Sequence, residues 1–214
     1  GLWLQNDAPV PQIGPRDALI AVTHTGICGT DRHIYEWDAW SRGRVKLGIT
    51  TGHEFVGRVV AVGNAVTRTA VGQRVSAEGH IGCGVCQACR TGNGHICEKV
   101  DILGIDTEGC FAEFIAVPED NVWPVHPDIP DHIAAIFDPL GNAMHTVMAA
   151  GVSGRSVLIT GVGIIGLMAV TIARAAGVAA CEGVPFLVLP VGPAHVAVQV
   201  GEEAVERDVV EHVN

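Results

Sequence analysis

Basic residues are scarce in this chain of 214 residues: 13 Lys and Arg stand against 23 Asp and Glu, a formal net charge of −10. Nucleic acid and anionic membrane surfaces both require a basic face, so neither is expected as a partner. Long apolar runs are missing as well. Although 48% of the residues are hydrophobic, no stretch approaches the roughly 20 residues that span a bilayer, and no membrane segment is expected. The opening residues, GLWLQNDAPV, have neither a basic start nor a sustained apolar stretch, and so do not read as a signal peptide. They also lack an initiator methionine, which suggests a start inside a longer gene product. Without a secretion signal, the seven cysteines point to a reducing, cytoplasmic compartment, where clustered cysteines bind metal more often than they form disulfides.

The length is enough for one large domain or two smaller ones with a real core. Residues 17–24 (DALIAVTH), 55–63 (FVGRVVAVG), 72–78 (GQRVSAE) and 110–118 (CFAEFIAVP) are rich in strand-forming residues and bounded by turn residues, and predict four strands. This part is glycine-rich and short of helical periodicity, which predicts a mostly β domain over residues 1–150. Residues 132–151, HIAAIFDPLGNAMHTVMAAG, turn to helical spacing and stop at Gly151, a connecting helix that closes the domain. SVLITGVGIIGLMAVTIARAAG, residues 156–177, then predicts a strand, a glycine-rich turn and an amphipathic helix, the start of a second domain over 151–178. The last 36 residues, 179–214, differ in composition: they contain no Lys, Ser, Thr, Ile, Tyr or Trp, and ten are Val. They form an unassigned tail with no motif.

Three constellations carry chemistry. Cys83, Cys86, Cys89 and Cys97 follow C-x2-C-x2-C-x7-C, a spacing that lets four thiolates converge on one tetrahedral zinc; closed all-cysteine sites are usually structural. Disulfides or free thiols are the alternative, but cysteines three apart cannot all pair without strain. His95 is an alternative fourth ligand to Cys97. Cys28 in GICGTDRHIY and His53 with Glu54 in TGHEF are dispersed, and each alone reads as well as a core residue. Together they offer the S, N and O donors of a catalytic zinc with an open position, and Asp138 in FDPLGN adds a further carboxylate. Finally, GVGIIG lies between an apolar strand and a helix, the setting of a dinucleotide fingerprint. Gly161 would allow the tight turn, Gly163 the approach of a pyrophosphate and Gly166 close helix–strand packing, while the helix N-terminus offers free N–H groups to phosphates.

At these residues the chain resembles the zinc-dependent medium-chain alcohol dehydrogenases, and within them the L-threonine 3-dehydrogenases. The broad signs are GHE at 52–54, the cysteine lobe at 83–97 and GVGIIG at 161–166; the narrower ones are CGTDRHIYEWDAW at 28–40, EGHIGCGVC at 78–86 and AAIFDPLGNAMHT at 134–146. The resemblance runs to about Gly177. It implies a mixed α/β fold, with a GroES-like, mostly β catalytic domain followed by an incomplete Rossmann-type nucleotide-binding domain. It implies that Cys28, His53 and Glu54 hold a catalytic zinc, that Thr30 and His33 relay the substrate's proton, and that Asp138 aids proton transfer beside the metal. It places His80 near the substrate, a second, structural zinc on the four clustered cysteines, and NAD along Gly161, Gly163, Ile165 and Gly166. The implied reaction oxidises the 3-hydroxyl of L-threonine to 2-amino-3-oxobutanoate. A related polyol or amino alcohol is the alternative substrate, and a non-catalytic zinc-binding fragment the alternative role. Such relatives are commonly homotetramers. The acidic residue that would bind the ribose falls near Pro185, in the tail, with Glu182 nearby.

Overall fold

The computed structural model describes residues 2–184 and 197–201. The chain divides into two compact units, Gly1–Asp138 and Pro139–Asn214.

In the first unit, strand β1 (Asp17–Thr25) leads through Gly26 and Ile27 into helix α1 (Gly29–Glu36) and the short helix α2 (Ala39–Arg44). Strands β2 (Phe55–Val62), β3 (Arg74–Ala77) and β4 (His80–Ile81) follow, then helix α3 (Gln87–Arg90) inside the cysteine lobe. Strands β5 (Asp101–Ile102), β6 (Phe114–Pro118) and β7 (Val122–Pro124) and helix α4 (Asp131–Ala134) complete it. Five of these strands form one antiparallel sheet in the order β6-β1-β2-β3-β7, and β4 pairs separately with β5. Side chains alternate along β1 and β6, so Ala18, Ile20, Ile115 and Val117 turn inward onto Phe55, Val59, Val75 and Leu103. Each large side chain in that cluster contributes roughly 1.5–3 kcal/mol by leaving water.

The four predicted strands are present, and β4, β5 and β7 are added to them. The last of the four begins at Phe114 rather than Cys110, because the N–H groups of Gly109, Cys110 and Phe111 bond to the carbonyls of Thr50, Gly52 and Thr51 instead of joining the sheet. Helices α1 and α2 lie where no helical periodicity is legible. Both are capped by acidic residues: Asp31 bonds back to the Cys28 amide at 2.8 Å, and Asp38 accepts from the Ser41 amide at 2.9 Å.

The predicted connecting helix is two helices, α4 and then α5 (Phe137–Ala149). Pro139 falls in the first turn of α5, where a missing N–H costs nothing. The division between the two units falls within α5, ahead of the turn at Gly151. In the second unit, strand β8 (Ser156–Thr160), helix α6 (Ile164–Ala175) and strand β9 (Ala180–Val184) form a parallel β-α-β unit, and strand β10 (Ala197–Gly201) pairs antiparallel on the other side of β8. Val157, Ile159, Ala169 and Ala173 pack with Ala143 and Val147 of α5. Glu182 lies within β9, and the expected ribose-binding position near Pro185 lies outside the described residues. No helix among the described residues is long and apolar enough to cross a membrane.

Candidate functional site

The sheet register brings the dispersed residues together. Thr25 at the end of β1 pairs with Phe55 at the start of β2, so the segments carrying Cys28 and His53–Glu54 meet at the same end of these two strands. Gly26 donates to the Glu54 carbonyl at 2.9 Å, and a side chain at Gly26 would overlap the Glu54 carboxylate. Gly52 has a φ of 91° and lies so close to Phe111 that a Cβ there would fall 2.5 Å from the ring. The conformation and the space both demand glycine before His53.

The Cys28 Sγ lies 3.2 Å from His53 Nε2. Two overlapping triads share the imidazole, Cys28–Asp31–His53 and His53–Glu54–Asp138; within each, the donor atoms lie within 4.8 Å of one another. His53, Glu54 and Asp31 are buried. His53 Nδ1 and Asp31 Oδ1 are buried without a hydrogen-bond partner, a costly arrangement unless something else satisfies them. Burial pushes the Glu54 carboxyl above its ordinary value, and the Asp138 charge pushes it further. Burial raises Asp138 too, against the pull of His53 and His80, and it raises the Cys28 thiol. A cation among these donors would reverse every one of those costs. A thiolate, an imidazole and carboxylates are a donor set that suits zinc, so the residues fit the metal.

The second cluster has a different character. The sulfurs of Cys83, Cys86, Cys89 and Cys97 lie within 4.8 Å of one another and converge without His95. Backbone amides point at them: Cys83 N–H donates to Cys97 Sγ at 3.3 Å, Cys86 N–H to Cys83 Sγ at 3.4 Å and Lys99 N–H to Cys97 Sγ at 3.3 Å. Such bonds favour thiolates, and the Val85 and Cys86 amides pull Cys83 down to about 6. Burial instead pushes Cys89 up to about 12. All seven cysteines are free thiols; Cys110, wholly buried, is pushed up to about 12 by desolvation. The four-sulfur set fits a closed tetrahedral zinc.

Around the mixed-donor site, Thr30 and His33 lie three apart on α1, with His33 exposed and its Nδ1 2.6 Å from Asp38 Oδ2. His80 takes both its backbone N–H (3.0 Å) and its ring Nδ1 (2.6 Å) to Glu78 Oε1, which raises the imidazole's pKa. Asn121 holds that turn by donating to the carbonyls of Glu78 and His80 at 2.8 and 2.9 Å. Asp31, Glu78 and Asn121 were not expected from sequence. Only Asp31 had a legible signal, its capping-box spacing after Cys28.

In the second unit, Gly161 has a φ of 90°. Gly163 caps α6, and a Cβ there would meet nothing within 4 Å, whereas one on Gly166 would overlap the Gly161 carbonyl oxygen. Gly166 is therefore explained by packing within the turn, and Ile165 by its contact with the core. Gly163 is explained by neither, which fits a phosphate approaching the helix N-terminus.

Residues 14–128 match the alcohol dehydrogenase GroES-like domain. The L-threonine 3-dehydrogenase of Mesorhizobium japonicum is 51% identical over 177 residues, which cover 83% of this chain and 51% of that protein. That of Francisella tularensis is 50% identical over 177 residues, 83% of this chain and 50% of the relative. Among solved structures, a Sinorhizobium meliloti protein described as a zinc-binding dehydrogenase and bound to NADP aligns with a TM-score of 0.74 and 35% identity, over 82% of this chain and 51% of its own. Galactitol-1-phosphate dehydrogenase from Escherichia coli aligns with a TM-score of 0.74 and 30% identity, over 83% and 51%. The chain thus spans about half the length of the relatives it matches.

Proposed function

The chain belongs to the alcohol dehydrogenase GroES-like family, and on that premise we propose that it serves a zinc- and NAD-dependent dehydrogenase acting on L-threonine. The observation that carries this reading is the meeting of two donor triads at His53, Cys28–Asp31–His53 and His53–Glu54–Asp138, from segments far apart in sequence, with the buried His53 Nδ1 left without a hydrogen-bond partner. The substrate rests on relatives about half identical in sequence that are named L-threonine 3-dehydrogenase.

Cys28, His53 and Glu54 would hold the catalytic zinc, and the four clustered cysteines a second, structural one; Gly161, Gly163, Ile165 and Gly166 would lie along NAD. When bound, zinc supplies Lewis acidity that lets a hydroxyl lose its proton at neutral pH, and NAD supplies a hydride acceptor. The chain's own residues do the rest. Thr30 and His33 carry the hydroxyl proton outward from the buried donors to an exposed imidazole. Asp138, uncharged more readily than an ordinary carboxyl, takes up and returns a proton beside them. His80, held by Glu78 through its backbone N–H and ring Nδ1, lies near the substrate. The product is 2-amino-3-oxobutanoate. The free thiols suit a reducing cytoplasm, and a homotetramer is implied by the resemblance alone.

A second reading is a zinc-binding polypeptide that does not turn over. Metal analysis, NAD titration and an assay with L-threonine against a polyol separate the two. Two zincs, saturable NAD binding and threonine-dependent NADH formation are expected. Two zincs without NAD binding would leave the second reading standing.

A further inference from the structure

His33 as a proton carrier leaves open which ring nitrogen keeps a hydrogen, and the turn after α1 supplies the answer. The Trp37 N–H donates to the Ile34 carbonyl at 3.2 Å and the Asp38 N–H to the His33 carbonyl at 3.4 Å, the paired bonds of a Schellman turn. Its left-handed position, normally glycine, is Trp37, with a φ of 50°, the one non-glycine residue of positive φ among those described. Packing with Ile34, Val45 and Ile105 holds it there. The turn brings Asp38 back onto the end of α1, where Oδ2 sits 2.6 Å from His33 Nδ1. Oδ1 is pinned separately, accepting from the Ser41 amide at 2.9 Å and the Ser41 hydroxyl at 3.1 Å as it caps α2. The Ser41 amide and then His33 hold this carboxyl below its usual value, so it stays an acceptor. The Trp40 ring stands edge-on to the imidazole at 6.0 Å.

We propose that Asp38 is a positioning residue that fixes the His33 tautomer: it accepts a hydrogen bond from Nδ1–H and leaves Nε2 bare to take up a proton. The step balances without electrons. Nε2 gains the proton leaving the substrate side, Nδ1 keeps its own, Asp38 stabilises the cation, and Nε2 then releases one proton to solvent. The functional meaning rests on the proton-relay reading above, whereas the tautomer does not.

Long-range ring 1H–15N correlation spectra of the labelled full chain test it, recorded about two pH units above the ordinary histidine value of about 6.5. The wild type should show hydrogen on Nδ1 and a bare Nε2. Asp38→Asn has a single carbonyl oxygen, which the two Ser41 donors claim. Its NH2 then faces Nδ1, so the two ring nitrogens should exchange their shifts. Asp38→Ser keeps a hydroxyl cap on α2 but no acceptor at the ring, and should show averaged shifts with unchanged helical circular dichroism. A wild-type ring carrying its hydrogen on Nε2 would overturn the proposal, as would wild-type shifts in both variants. No metal, cofactor or turnover enters this readout. Failure of the dehydrogenase reading would leave the tautomer standing, and a wrong tautomer would leave the metal sites untouched.

Discussion

Gly109→Ala probes the clamp that holds the His53 loop. A Cβ on Gly109 would overlap the Gly52 carbonyl oxygen and lie 2.5 Å from the Thr51 carbonyl oxygen, all of it backbone that cannot swing aside. Reaching ordinary contact at 3.4 Å with the nearer Gly52 oxygen requires the segments to part by about 1.2 Å. The bonds from Gly109, Cys110 and Phe111 N–H, now 2.8, 2.9 and 2.9 Å, would then stretch beyond hydrogen-bonding range. Two or three lost bonds at about 0.5–1.5 kcal/mol each, overlapping with an overpacking cost of about 1–3 kcal/mol, predict a loss of roughly 2–4 kcal/mol. For a protein of this size that lowers the melting temperature by about 5–15 °C. Calorimetry of the variant beside Gly43→Ala is the assay. Gly43 lies in α2 with nothing within 4 Å of its Cβ position, so that change should be neutral or add up to about 1 kcal/mol. Zinc should also dissociate faster from the Cys28–His53 site while the cysteine lobe keeps its metal. A Gly109→Ala protein that melts with the wild type and holds zinc equally would refute the clamp.

Three further outcomes follow from the same geometry. Cys97→Ser, or prolonged chelation, should lose the zinc of the lobe and expose the segment after Arg90 and Lys99 to trypsin, since a structural zinc supplies folding energy of about 10–16 kcal/mol; unchanged cleavage would show that the lobe folds without metal. Gly163→Ala should leave the melting temperature within what about 0.5 kcal/mol produces yet weaken NAD binding, whereas Gly166→Ala should cost about 1–3 kcal/mol; titration calorimetry and thermal melts separate the two. Glu119 is buried and accepts from the amides of Thr67, Arg68 and Thr69, and the Arg68 amide leads in holding its carboxyl below the ordinary value. A depressed folded value stabilises the protein above the ordinary carboxylate pKa, and that stability is lost as pH falls through the folded value. Glu119→Gln should therefore flatten the acid limb of melting temperature against pH, and an unchanged limb would count against the nest.

Much was legible in the sequence because it was local. Strand-forming residues bounded by turn residues mark β1 and β2, a β-branched run marks β8, and the spacing of Cys83, Cys86, Cys89 and Cys97 brings four sulfurs together within a single lobe. Glycines 161, 163 and 166 are read from spacing as well, although the chain uses Gly166 to clear the Gly161 carbonyl. Other features had no local signature. Helices α1 and α2 are short and polar, held by caps and by a left-handed Trp37 rather than by an apolar stripe, and the start of β6 depends on where the Gly109–Phe111 amides find partners.

The sequence by itself determined the longer strands β1, β2, β3, β6 and β8, the four-sulfur cluster and the chemistry available at each position, since these depend on neighbours along the chain. Only the tertiary structure decided that Cys28 meets His53. They lie 25 residues apart, and it is the antiparallel register of β1 and β2, ending in the Thr25–Phe55 pair, that delivers both to one end of the strands. Tertiary packing likewise buried Asp31 and turned Asp38 onto His33. A residue's type sets which bonds it can make, and long-range pairing sets which partner it meets.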